Sequence, residues 1–82
     1  MSHNKEDLKN KIIYRARYRG TKEMDILMTG YVESIINDVN YEQMTELNKI
    51  VNLSDEKLIL LKKKKININL KNNFLIKKFQ EY

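Results

Sequence analysis

Helix breakers are almost missing from this chain: it contains no proline, and its glycines are Gly20 and Gly30 alone. In a helix interior proline costs about 3 kcal/mol and glycine about 1 kcal/mol relative to alanine. A chain that avoids both can run helix after helix, provided polar residues cap the junctions. An all-α fold is therefore the expectation, and the hydrophobic pattern supports it.

Apolar residues recur at helical spacing in several stretches. The first helix is predicted from about Lys5 to Arg19, with Leu8, Ile12, Ile13 and Ala16 on one side. Gly20 then occupies the place of a helix C′ residue, where a left-handed conformation costs glycine little. Thr21 is a natural N-cap for a second helix, and Glu23 and Asp25 in its first turn complement the dipole. Met24, Leu27, Met28, Tyr31 and Ile35 form its apolar face. After the polar stretch Asn37 to Asn40, Asn40 and Gln43 make a capping box for a third helix carrying Met44, Leu47, Ile50 and Val51. Ser54 opens a fourth helix through Leu58 to Leu61, and a last amphipathic piece carries Leu70, Phe74, Leu75 and Phe79, with both phenylalanines read as core. Ile66, Ile68 and Leu70 alternate with polar residues, which leaves a brief extended stretch open there. Gly30, inside the second helix, suggests a close helix contact. The expected architecture is one bundle of about five short helices over residues 1–82, with residues 1–5 disordered.

A chain of 82 residues buries a limited fraction of its surface, so its stability margin is thin. It has no cysteine, which removes disulfides, thiolate metal sites and thiol nucleophiles. The single histidine, His3, lies near the N-terminus without metal-binding or catalytic partners close in sequence. No phosphate-binding glycine loop and no nucleophile elbow is present, so neither catalytic nor metal-binding residues are assigned. No apolar run reaches the roughly 18 residues that span a bilayer, and Met1 to Asn10 lacks the apolar core of a signal peptide. The expected setting is cytoplasmic. A formal charge of +5 and a pI near 9.5 admit an acidic partner without choosing its class.

The arginines narrow the choice. All of them, Arg15, Arg17 and Arg19, fall in one window, while every other cation is lysine. Arginine supplies a planar donor fork that lysine does not reproduce. With Gly20 as the turn and Glu23 and Asp25 opening the next helix, Arg19 lies at a mixed-charge corner. Two readings stay open on these grounds: a contact surface, or an internal Arg19–Glu23 salt bridge that pins the corner. A separate reading takes Lys62 to Lys65, with Tyr14 and Tyr18, as a basic nucleic-acid-binding or regulatory module. The same lysines also suit a solvated helix C-terminus.

The order Ile12-Ile13-Tyr14-x-Ala16-Arg17-x-Arg19-Gly20-x-x-Glu23, followed by Ile26 and Leu27, resembles the small flavinylation factors of succinate dehydrogenase. These are bacterial assembly factors related to the mitochondrial assembly factor 2, and their hallmark is Arg-Gly-x-x-Glu. The resemblance implies a five-helix bundle that binds the flavoprotein subunit of succinate dehydrogenase, and it leaves open whether fumarate reductase is a further client. It implies promotion of covalent FAD attachment to that client, by a monomer that holds no cofactor stably itself. Arg19 and Glu23 would then make polar contacts to the flavoprotein, Gly20 would let its backbone approach, and Arg17 and Asp25 would support the patch. The second half departs from the family pattern. The segment Ser54 to Leu61 lacks the usual aromatic pair, the downstream proline is missing, and the lysine run is not a family feature.

Overall fold

Each helix start that the sequence marks with a polar cap, except the last, is closed by that cap's side chain. The computed structural model describes residues 4–82, so His3 lies outside the described residues. Five helices follow in order: α1 (Asn4–Arg17), α2 (Lys22–Ile35), α3 (Tyr41–Val51), α4 (Asp55–Lys62) and α5 (Phe74–Glu81). Thr21 caps α2 by accepting from the Met24 N–H at 3.4 Å, and Ser54 caps α4 through the Lys57 N–H at 3.2 Å. At α3 the capping box is complete, with Asn40 Oδ1 accepting from Gln43 N–H at 2.8 Å and Gln43 Oε1 accepting from Asn40 N–H at 2.9 Å. Asn73 precedes α5 without a side-chain cap.

Helix α1 lies against α2 and α3, and α4 pairs with α5. The stripes read from periodicity supply the core: Ile12 and Ala16; Met24, Met28, Tyr31, Val32 and Ile35; Met44, Leu47, Ile50 and Val51; Leu58 and Leu61; Leu75, Ile76 and Phe79. Tyr31 ties the two halves together. Its ring meets Phe79 edge-on at 5.1 Å, and its hydroxyl donates to the Leu75 carbonyl at 2.6 Å. Burial pushes the pKa of that phenol up, so it stays a neutral donor.

The structure corrects several details. Helix α1 ends at Arg17, two residues short of the expected Arg19, because the Arg19 side chain is engaged elsewhere. Phe74 is 40% exposed rather than core, since α5 turns Leu75, Ile76 and Phe79 inward. The close contact expected at Gly30 comes from the C-cap residue of α5: the Tyr82 ring lies over it, and a Cβ there would stand 2.8 Å from Tyr82 Cζ. Residues 67–70, where an extended stretch was left open, take no regular secondary structure.

The sequence reading also passed over Glu46, which organises that irregular connector. Its carboxylate is buried and accepts from Lys71 N–H at 2.7 Å, Asn72 N–H at 2.8 Å and Asn72 Nδ2 at 2.6 Å. Burial works against its charge most strongly. The hydrogen bonds from Lys71 and Asn72, helped by the Lys49 ammonium, outweigh it and hold the carboxyl below its ordinary pKa.

Candidate partner-binding corner

Between α1 and α2 the chain turns through Tyr18, Arg19, Gly20 and Thr21. Tyr18 N–H still bonds to the Tyr14 carbonyl at 3.1 Å, and there the helical ladder stops. Gly20 follows at φ 111°, a backbone that side-chain-bearing residues rarely adopt. It is exposed, and nothing lies within 4 Å of a Cβ built on it. The glycine is thus needed for the turn itself, not to relieve internal crowding.

Arg19 points inward. Its side chain is only 10% exposed. Nη1 donates to the Val51 carbonyl and Nη2 to the Leu53 carbonyl, while Nε and Nη2 reach Asp55 Oδ1 at 3.2 and 3.0 Å. Val51 ends α3, and Asp55 begins α4. The guanidinium therefore satisfies carbonyls at the negative end of one helix and pairs with a carboxylate at the positive end of the next. Only a forked, planar donor set can reach all three acceptors together. The Arg19 backbone N–H is also engaged, donating to Asp25 Oδ1 at 2.5 Å.

Of the two readings left open, the internal Arg19–Glu23 salt bridge is not formed: Arg19 pairs with Asp55 instead. Glu23 is exposed and has no hydrogen-bond or ion-pair partner among the described residues. Asp25 is part-buried and closes the turn from within. Arg17 lies outside on α1 and pairs with Glu33 of α2 at 3.3 Å, both side chains being more than half exposed. Arg15 lies exposed on α1, and Arg19 stands beyond the end of that helix. Arg15 lines an open cleft with Asn10, Lys11, Tyr14, Tyr18 and Arg19, where the Tyr14 and Tyr18 rings lie 4.7 Å apart.

The five residues singled out by sequence thus separate into two sets. Arg19 and Asp25 work inward and fix the turn. Gly20, Glu23 and Arg17 remain on the surface. Two further residues belong to the corner. Asp55 is the acid that Arg19 uses, and no local sequence signal links positions 36 apart. Ile26 is 64% exposed, three residues beyond Glu23 on the outer face of α2. Its signal was legible, because it falls off the stripe of Met24, Leu27 and Met28.

A family model described as flavinator of succinate dehydrogenase matches residues 10–82, a stretch that includes the whole corner and α2 to α5. The chain belongs to this family. Among curated proteins it is similar to the FAD assembly factor SdhE of Acetobacter pasteurianus, 34% identical over 50 residues. That match covers 61% of this chain and 46% of the relative, so the chain spans about half the length of the relative it matches. No solved structure matches it. The matched stretch includes the Arg19-Gly20-x-x-Glu23 order at the first helix junction. The geometry adds that its arginine and its glutamate face opposite ways. No helix among the described residues is long and apolar enough to cross a membrane. No three histidine or acidic side chains among them gather as a metal site would require.

Proposed function

We propose that this chain is an assembly factor that binds the flavoprotein subunit of succinate dehydrogenase and promotes covalent attachment of FAD to it. The observation that carries the reading is the family match over residues 10–82, and the exposure of Gly20 and Glu23 at the first helix junction supports the choice of that corner as the contact surface. The flavoprotein performs the chemistry and owns the FAD. This chain acts without catalytic groups of its own, as a cytoplasmic monomer. It binds the competent conformer of the client more tightly than the others, and so raises that conformer's population.

On this reading Glu23 offers a free carboxylate to the client, Ile26 an apolar contact, and Gly20 a surface that the client backbone can approach. Arg17 with Glu33 borders the patch. Arg19 and Asp25 hold its shape from behind. The carboxylate of Glu23 at the mouth of the corner also disfavours a phosphate backbone as the occupant, by like-charge repulsion.

The test is covalent flavin on the client subunit, read by in-gel fluorescence after denaturation. The client is produced alone, with this chain, and with its Glu23→Ala variant. Strong fluorescence with the wild-type chain and weak fluorescence with the variant or with none is the expected result. Equal fluorescence in all three samples refutes the proposal.

A further inference from the structure

The excess of positive charge is confined to one end of the sequence. Residues 1–56 hold eight lysines and arginines against ten acids, whereas residues 57–82 hold eight lysines against a single acid, Glu81. A bias toward AT-rich codons raises lysine, but it does not strip aspartate and glutamate from the 24 consecutive residues 57–80. Such asymmetry within one domain marks a surface for an anionic partner.

The fold gathers these lysines. Helices α4 and α5 pack on each other, and each repeats the same outward pattern. On α4, Ile59 is 45% exposed and is followed at i+3 and i+4 by Lys62 and Lys63; on α5, Phe74 is 40% exposed and is followed by Lys77 and Lys78. Residues three and four apart share a helix face, so Phe74 is flanked by the exposed ammonium groups of Lys77 and Lys78, and Ile59 by that of Lys63. Lys64, Lys65 and Lys77 converge on an open cleft that also holds Ile66, Ile76 and Glu81. Lys62 alone turns back, donating to the Phe79 carbonyl at 3.0 Å. The remaining lysines, Lys57, Lys63, Lys64, Lys65, Lys71, Lys77 and Lys78, are all exposed. None of them forms a salt bridge among the described residues.

We infer that the α4–α5 end of this protein docks on an anionic lipid surface. Lysine, a compact point charge, suits a diffuse layer of phosphate headgroups, whereas ordered phosphate recognition favours the arginine fork that this end lacks. Exposed Ile59 and Phe74 between the lysines add the shallow apolar contact through which amphipathic surfaces hold to the headgroup boundary. Nucleic acid is the weaker match, because between Lys57 and Lys78 Phe74 is the one exposed aromatic ring on which a base could stack, and Tyr82 beyond them lies over Gly30 of α2.

The inference is tested by sedimentation of the full chain with vesicles of phosphatidylcholine alone and of phosphatidylcholine mixed with phosphatidylglycerol, at low and high salt. Binding is expected only to the anionic vesicles, with retention falling as salt screens it. Each surface lysine is worth about fivefold in affinity, so the triple variant Lys64→Gln/Lys65→Gln/Lys77→Gln should bind about a hundredfold more weakly. The control Lys5→Gln/Lys11→Gln/Lys49→Gln has the same net charge and should bind as the wild type does. Circular dichroism checks that both variants keep their helices. Absence of binding to anionic vesicles overturns the inference, as does equal loss in the two triple variants. Tighter binding to a mixed-sequence single-stranded DNA or RNA than to the vesicles also overturns it. None of these outcomes depends on the flavinylation assay.

Discussion

Arg19→Ala should destabilise the fold more than it damages the partner-facing surface. The guanidinium holds the Val51 carbonyl, the Leu53 carbonyl and Asp55 from a position only 10% exposed. Hydrogen bonds involving a charged group contribute about 1.5–3 kcal/mol each, and the loss is largest where the abandoned partner stays dry. Asp55 is about one-third exposed and can rehydrate, so its share is discounted. The sum expected for Arg19→Ala is about 2–4 kcal/mol. A domain of this length has roughly 4–12 kcal/mol in total, and the melting temperature should fall by at least about 8 °C. Arg19→Lys retains the charge but not the fork, and should lose about half as much. Urea and thermal unfolding followed by far-UV circular dichroism give the energies, and a double-mutant cycle with Asp55→Asn isolates the pair. Below its melting temperature, Arg19→Ala should still support flavinylation, whereas Glu23→Ala should fail at unchanged stability. Unaltered stability with abolished flavinylation in Arg19→Ala would refute this account, because it would place the guanidinium on the partner.

Three further perturbations follow from local geometry. Gly20→Ala has open space for its methyl group but an unfavourable φ of 111°, so chemical denaturation should show a loss of about 1–3 kcal/mol. Lys64 ends α4 at φ 61° in a Schellman motif, with Lys65 N–H bonded to the Leu60 carbonyl and Lys64 N–H to that of Leu61. Lys64→Gly should accordingly raise stability by about 0.5–1 kcal/mol in the same assay. Glu46 has its pKa lowered in the folded state, so its carboxylate contributes stability above the unfolded value of about 4.3, and that stability is lost as pH falls through the folded value. Glu46→Gln should flatten the acid side of the stability profile below about pH 5; an unchanged slope contradicts the assignment.

Much of the architecture was legible because its signals are local. The capping residues Thr21, Asn40 and Ser54 act within three residues of themselves, and the stripes of α2 and α3 bury the side chains their spacing implies. The corner was legible in composition but not in direction. Arg19, Gly20 and Glu23 are adjacent, yet which way Arg19 turns depends on Val51, Leu53 and Asp55, which only the packing of α3 and α4 brings near. Glu46 was missed for the same reason. It lies at the edge of an apolar stripe, four residues before Ile50, and its partners Lys71 and Asn72 arrive from a connector without periodicity. Phe74 shows the opposite error: hydrophobicity alone assigned it to the core, while the helix phase set by Leu75 and Phe79 turns it outward.

The Glu46 clamp bears on how this protein survives in a crowded solution. The segment Ile66-Asn67-Ile68-Asn69-Leu70 alternates apolar and amide side chains with no charge and no proline, the pattern that stacks most readily into intermolecular β-sheet. Docked under Glu46, its Ile66, Ile68 and Leu70 are partly buried against the core, and the backbone N–H groups of Lys71 and Asn72 are committed to one carboxylate. Lys65 and Lys71 flank the segment on either side as charged gatekeepers. Protonating or replacing Glu46 therefore exposes an adhesive edge as well as weakening the fold, and acid-stressed samples should fail by aggregation before they fail by unfolding.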